Sequence, residues 1–307
     1  MLISVVTPTY NECDNIEPLY IEIKNIFKKI NLDYEHIVID NCSTDGTVEI
    51  LKKIAKNDKN FKVILNQSNF GHIRSPFHGL INSSGDATII MCSDFQHPPK
   101  LIEEYIKKWK MGSKVILGQK IDSKENYFKK KLRNLYYFFL NLISRVKIIP
   151  NTTGDGLYDS SVIKHLKNIN DPSPFTRGLV HQLGYKVDTI RFIQQKRLSG
   201  YTKNNIFTLF DMGIDGIIKH SNLPIRFFSF IGLLGSLTCL IISLYYLINK
   251  ILFWYTFSAG TAPLLVGVFG MLSLILLMLG LIGEYLIKLL EYNRKLPRVI
   301  EEKRINF

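Results

Sequence analysis

Residues 2–40 read LISVVTPTYNECDNIEPLYIEIKNIFKKINLDYEHIVID, and this stretch decides the fold. Leu2 to Thr7 is a short β-rich apolar run stopped by Pro8, the pattern of a buried strand that ends in a loop. Ile16, Leu19, Tyr20, Ile23, Ile26, Phe27 and Ile30 then recur at helical spacing, and Tyr34 to Ile39 reads as a second strand. The alternation continues outward. Thr47 to Ala55 reads as a helix, Phe61 to Leu65 as a strand, Ser75 to Ser83 as a helix and Ala87 to Cys92 as a strand. Strands separated by crossover helices imply an α/β domain with a mostly parallel sheet and helices on both faces.

Ligands of such sheets bind beyond the carboxyl ends of the strands, where loops and helix N-termini meet. Three polar loops fall there: Pro8-Thr-Tyr-Asn-Glu-Cys, Asp40-Asn-Cys-Ser-Thr-Asp-Gly-Thr and Cys92-Ser-Asp-Phe-Gln-His-Pro-Pro. No GxGxxG follows the first strand and no P-loop is present, so the sheet is Rossmann-like without a dinucleotide fingerprint.

Composition changes along the chain. Residues Phe227 to Asn249 and Ile251 to Gly283 carry no Asp, Glu, Lys or Arg. A hydrocarbon core of roughly 30 Å needs about 20 apolar helical residues, so the sequence predicts a two-helix transmembrane hairpin over about 227–248 and 263–286. Lys219, His220 and Arg226 precede it and Lys288, Arg294, Lys295 and Arg298 follow it, which predicts cytoplasmic termini on both sides of the hairpin. The opening Met1-Leu-Ile-Ser-Val-Val has no secretory signal pattern, and the expectation is a multi-pass protein of the inner or plasma membrane with its domain in the cytoplasm. The predicted organisation is a catalytic domain over 1–220, the hairpin within 221–290 and a basic tail over 291–307. Asn126 to Val146 mixes aromatic and aliphatic residues with Lys and Arg, as an interfacial amphipathic helix does, although packing against the sheet suits it too.

The net charge of +13 comes without a nucleic-acid-binding motif, and the basic residues gather at Lys120 to Lys147 and beside the apolar spans. A lipid bilayer is the expected partner, and nucleic acid is not. The four Cys and seven His show no metal-ligand spacing, so neither a zinc site nor a disulfide framework is expected.

Set side by side, Val5-Val-Thr-Pro-Thr-Tyr-Asn-Glu, Val38-Ile-Asp-Asn-Cys-Ser-Thr-Asp-Gly-Thr, Asn69-Phe-Gly, Ser93-Asp-Phe-Gln-His-Pro-Pro, Gly154-Asp-Gly-Leu, Arg177-Gly and Arg197-Leu-Ser-Gly-Tyr-Thr-Lys are similar to motifs of the family-2, GT-A fold, inverting glycosyltransferases. The chain resembles more narrowly the polyisoprenyl-phosphate glycosyltransferases, of the dolichol-phosphate mannose synthase and bactoprenol glucosyltransferase type. The resemblance implies sugar transfer from a nucleoside diphosphate sugar, with UDP the expected nucleotide, to a polyisoprenyl phosphate. It also implies a homo-oligomer.

Residue by residue, the resemblance implies that Pro8, Tyr10, Glu12 and Asp40 hold the nucleoside. Turn or N-cap chemistry is the alternative reading of Asp40 and the main reading of Asp45, and packing is the alternative for Tyr10. Asp94 and Gln96 match the second and third positions of an Asp-x-Asp-x-Gln motif that holds Mg²⁺ or Mn²⁺, but Cys92 stands where the first Asp belongs, and a thiol is a poor ligand for Mg²⁺. Arg197, Lys203 and Arg177 match cationic positions over the diphosphate, and Lys120, Lys131 and Arg133 are placed to draw in an acceptor phosphate. Asp155 matches an acceptor-side carboxylate, with a turn between Gly154 and Gly156 as its local alternative. The candidate catalytic residues are Asp94, Asp155 and Arg197. Two other readings stay open: transfer to a different membrane acceptor, and a non-catalytic sugar-nucleotide binder suggested by Cys92.

Overall fold

The computed structural model of the chain describes residues 1–122, 149–195, 230–231, 234–235, 237–238, 241, 248, 251–252, 261–293 and 297–307. The chain divides into two compact units, one of Met1–Asn141, Val146–Leu209 and Lys295–Phe307, the other of Leu142–Arg145 and Phe210–Arg294.

The first unit is built on an eight-stranded sheet in the order β7-β5-β6-β4-β1-β2-β3-β8. Its strands are β1 (Leu2–Thr9), β2 (Asp33–Asp40), β3 (Phe61–Asn66), β4 (Ala87–Ile90), β5 (Val115–Asp122), β6 (Thr152–Asp159), β7 (Val187–Ile193) and β8 (Glu301–Ile305). β1 pairs in parallel with β2 and β4, and β2 with β3, as the repeating strand-helix pattern predicts. Crossovers α1 (Cys13–Ile30), α2 (Thr47–Asn57) and α3 (Gly71–Ile81) link them. The central strands are covered on both faces: Ile3, Val5, Val6, Ile37, Val38, Ile39 and Ile89 are fully buried. The sheet is mostly parallel, with antiparallel joints at β4–β6, β5–β6 and β3–β8.

α4 (Leu101–Lys110), α5 (Ser160–Lys167) and α6 (Thr176–Gln182) complete the described helices of this unit. The α5 helix opens on Asp159, whose carboxylate accepts from the Ser161 N–H at 2.9 Å, a side-chain N-cap. Gly154-Asp155-Gly156 lies inside β6 and is not a turn: Gly156 pairs with Ile90 of β4 and Leu117 of β5, and the register shifts between Leu117 and Gln119. Gly156 permits this. It sits at φ +154, and a Cβ there would lie 2.2 Å from the Ile116 carbonyl oxygen.

The basic tail also turns out differently from the sequence reading. Residues 301–305 form β8, antiparallel to β3 at the sheet edge, with Glu301 beside His78 at 2.5 Å. The Arg298 guanidinium donates to the carbonyls of Ile169 and Asp171 and lies over the Phe77 ring.

In the second unit, α7 (Thr261–Asn293) is helical over 33 residues, and the described side chains Leu264, Leu276 and Leu290 are largely exposed. Among the described residues no helix is long and apolar enough to cross a membrane. This corrects the expectation of a multi-pass membrane protein with both termini cytoplasmic. A crossing takes about 20 consecutive apolar residues within one helix. Most of the expected first span, and the amphipathic segment 126–146, lie outside the described residues.

Candidate active site

The three polar loops meet through hydrogen bonds at the carboxyl ends of β1, β2 and β4. Asn41 N–H donates to the Thr9 carbonyl at 2.9 Å, and Ser93 Oγ donates to the Pro8 carbonyl at 3.4 Å. Asn11, at φ +54, donates its N–H to Ser43 Oγ at 2.8 Å and accepts from the Thr44 N–H at 2.8 Å through its side chain. The Glu12 N–H donates to Thr47 Oγ1 at 3.0 Å, and the Glu12 carboxylate accepts from Asn15 Nδ2 at 2.5 Å at the start of α1. Asp45 accepts from the N–H groups of Thr47 and Cys13, so it braces two loops. The local role expected of it is present.

Asp40 combines burial with a local hydrogen-bonded turn. Its two oxygens accept from Ser43 Oγ at 2.5 Å and Ser43 N–H at 2.9 Å, and it is 1% exposed. Burial pushes its carboxyl above the usual range, with the Ser43 bonds opposing. Asn41 links this loop onward, donating to Asn69 Oδ1 at 2.7 Å and accepting from the Phe70 N–H at 2.9 Å. Asn69-Phe-Gly thus becomes the fourth segment of the same rim.

The β4 and β6 strands bring the acids together. Ile90 is paired with Gly156, so Asp155 falls beside the residues that follow β4. Cys92 Sγ–H donates to Asp155 Oδ1 at 3.4 Å. Burial raises Asp155 to about 6; the Cys92 bond and the charges of Lys120 and Arg177 pull it down, and Asp94 pushes it up. The Cys92 thiol is held well above its ordinary value, first by burial and then by Asp155 and Asp94, so it is a neutral donor. Asp94 is 8% exposed and accepts from the Gln96 N–H at 3.1 Å. Between them Phe95 sits at φ +57, a strained conformation for an aromatic residue.

Several contacts here were not legible in the sequence. Gln96 Oε1 accepts from Gln194 Nε2 at 2.7 Å. His97 is 2% exposed, with Nε2 3.0 Å from Tyr105 Oη and Nδ1 3.9 Å from Asp155 Oδ2. Burial and then the Lys120 charge hold His97 at about 4, so its ring is neutral near pH 7. The signal available for His97 was its place in the loop that carries Asp94 and Gln96. Nothing local pointed to Tyr105 or Gln194.

Of the residues singled out in the sequence, the structure brings together Asp94, Gln96, Asp155, Lys120 and Arg177, whose guanidinium donates to the Thr152 carbonyl at 2.7 Å. Pro8 and Asp40 lie within the carboxyl ends of β1 and β2, so Pro8 does not stop the first strand, and Tyr10 and Glu12 lie on the loop after β1. Lys131, Arg133, Arg197 and Lys203 lie outside the described residues. Among the described residues no group of three or more His, Cys, Asp or Glu is arranged to hold a metal ion.

The pattern of the family described as Glycosyl transferase family 2 matches residues 4–166, the span that contains all three loops and β6. The chain belongs to this family. It is a glycosyltransferase with a GT-A-like α/β fold. The uncharacterized glycosyltransferase YkcC of Bacillus subtilis (strain 168) is 32% identical over 98% of this chain and 93% of its own length. The prophage bactoprenol glucosyl transferase homolog of Escherichia coli (strain K12) is 28% identical, with 98% of each chain covered. Among solved structures, glucosyl-3-phosphoglycerate synthase from Mycobacterium tuberculosis, in complex with Mn²⁺, uridine diphosphate and phosphoglyceric acid, has a TM-score of 0.49 and 19% identity over 71% of this chain and 76% of that one.

Proposed function

We propose that this family-2 glycosyltransferase moves one sugar from a nucleoside diphosphate sugar, UDP-linked, to a polyisoprenyl phosphate by single displacement with inversion. The observation that supports the reading is that two carboxylates, Asp94 and Asp155, lie with Lys120 and Arg177 where β4 and β6 meet, beside the loops that follow β1 and β2. Carboxylates hold a divalent cation, and the cations suit phosphate oxygens. The bactoprenol glucosyl transferase homologs, similar over nearly the full chain, support the lipid phosphate.

The donor set suits Mg²⁺ or Mn²⁺. Asp94 and Asp155 supply hard oxygens and Gln96 a third, while the neutral Cys92 thiol stays with Asp155 and is no ligand. A site with one or two protein carboxylates is what Mg²⁺ uses when substrate phosphates and water complete its shell. A cation held by Asp94, Asp155 and Gln96 would neutralise charge on the departing diphosphate. Pro8, Tyr10, Glu12 and Asp40 hold the nucleoside; Arg197 and Lys203 cover the diphosphate, and Lys131 and Arg133 join Lys120 in receiving the acceptor. A phosphate monoester has its second pKa near about 6, so the acceptor arrives as an oxyanion and Asp155 orients groups without having to take a proton. An acceptor oxygen attacks the anomeric carbon as the bond to the diphosphate breaks, and the diphosphate leaves with the electron pair.

The exposed leucines of α7 give a lipid surface something apolar to meet. The reading includes the predicted division into catalytic and C-terminal parts and assembly of several copies, which light scattering checks. The test of function is mass spectrometry of lipid products after the full chain is incubated with polyisoprenyl phosphate, Mg²⁺ or Mn²⁺ and a panel of sugar nucleotides. Sugar-phosphate-lipid is expected from one donor. Transfer only to a non-phosphorylated acceptor, or binding without transfer from any donor, would overturn the reading.

A further inference from the structure

The role of Asp155 raises the question of what fixes its second oxygen. Cys92 Sγ–H occupies Oδ1 at 3.4 Å, and Oδ2 faces His97 Nδ1 at 3.9 Å, beyond hydrogen-bond range. His97 Nδ1 is a buried nitrogen with no hydrogen-bond partner, the kind of group that calls for a reason. The rest of the ring is firmly built in. Its Nε2 meets Tyr105 Oη at 3.0 Å, and its ring centroid lies 4.5 Å from that of Phe192, with the two rings tilted by 53°. Gly118 leaves space for this group: a Cβ there would lie 2.7 Å from His97 Nε2 and 2.8 Å from Tyr105 Oη. A buried tyrosine, a buried histidine and the acid are therefore in line.

We propose that His97 is the positioning residue for Asp155. Tyr105 Oη–H donates to His97 Nε2 and keeps the ring proton on Nδ1, and Nδ1–H captures Asp155 Oδ2 when donor and cation draw the site together. Catalytic hydrogen bonds are often long before substrate binds and tighten in the complex. The tautomer is assigned by the carboxylate that Nδ1 faces and by the tyrosine hydroxyl at Nε2. The inference rests on Asp155 serving the transfer described above and adds the group that sets its orientation.

Asparagine and glutamine at position 97 separate the two nitrogens, because the amide of Asn reaches the place of Nδ1 and that of Gln the place of Nε2. His97→Gln keeps the Tyr105 contact and loses the donor to Asp155; kcat is expected to fall by about 10- to 100-fold, with KM for the donor unchanged, as for a misplaced catalytic group. His97→Asn is expected to recover kcat to within about threefold of the parent, as a restored geometry should. Equal loss in both variants, loss in neither, or a rise in KM alone would overturn the proposal. Nitrogen NMR of the unsubstituted full chain, with the His97 signals identified by their loss in His97→Gln, tests it without turnover. A proton on Nδ1 supports the proposal, and one on Nε2 alone refutes it. If the parent forms no sugar-lipid while the Nδ1 tautomer is present, it is the functional reading that fails.

Discussion

Replacing Cys92 by aspartate puts a third carboxylate into a cluster that already holds Asp94 and Asp155, and the structure sets the size of the effect. The new group stands about where Sγ stands, 3.4 Å from Asp155 Oδ1. Two unit charges at that separation repel by about 5 kcal/mol at an effective dielectric of about 20. The pair has a cheaper alternative. Asp155 titrates at about 6, so keeping its proton at pH 7 costs only about 1.4 kcal/mol. Protonation therefore wins at neutral pH. Because the folded-state pKa is raised, stability is present below it and is lost as pH rises: the variant should be about 1 to 2 kcal/mol less stable than the parent at pH 7, with the gap widening toward pH 9.

A divalent cation reverses the sign. In the parent it meets two carboxylates, in the variant three, and a ligand at about 100 times its Kd stabilises by about 2.7 kcal/mol. The assay is urea unfolding followed by tryptophan fluorescence between pH 6 and pH 9, in chelator and in Mn²⁺. Cys92→Asp should unfold earlier than the parent in chelator and gain more from Mn²⁺, with transfer activity rising if cation affinity limits it. A variant whose stability in chelator matches the parent at pH 9 would mean that position 92 does not abut Asp155. Equal Mn²⁺ effects on both proteins would mean that this cluster does not hold the cation.

Asp155→Asn should raise stability above pH 6 by up to about 3 kcal/mol, the cost of the shift from 3.8 to about 6, while transfer falls; the gain should vanish as pH drops below 4, as urea midpoints will show. His36, fully buried beside the Thr7 hydroxyl at 2.9 Å, is pushed by burial from 6.5 to about 3, so its contribution is complete above pH 6.5 and drains as pH falls toward 3. His36→Gln should flatten the acid limb of the stability profile, which runs at about 1.4 kcal/mol per pH unit for one such group. Gly156→Ala forces a Cβ to 2.2 Å from the Ile116 oxygen at φ +154, and denaturant curves should show a loss of about 3 kcal/mol.

The sequence carried the first half of the sheet clearly because β1, β2 and β4 are buried on both faces and are rich in Ile and Val. The other half was hidden by chemistry that serves two purposes. Gly154-Asp155-Gly156 has turn composition, yet Gly156 lets a strand run against β5 with no room for a Cβ. β8 was hidden too: Glu301-Glu-Lys-Arg is polar throughout, as suits an exposed edge strand, and nothing in its composition separates that from a solvated tail. In the site, Asp94 and Asp155 could be named from motifs. The Tyr105 and His97 contact joins a loop to a helix, and the Gln96 and Gln194 contact spans 98 positions, so both are products of packing alone.

Cys92 looks at first like a missing ligand, but the surroundings give it a positive role. Asp94 already raises the pKa of Asp155, and a third acid would have to be neutralised whenever no cation is present. A thiol held in its neutral form adds no charge and still donates a hydrogen bond, which is the one contact that lowers the Asp155 pKa from this side. The side chain at 92 therefore supports the ionised form of Asp155 near pH 7, where an aspartate would oppose it. On this argument the cysteine trades cation affinity for an acid that is charged before the cation arrives. It follows that Cys92→Ser, which keeps a donor of similar size, should preserve the Asp155 titration near 6, whereas Cys92→Ala should raise it; carboxyl-carbon NMR across pH 5 to pH 8 distinguishes the two, and identical titration in both variants would refute the role given to the thiol.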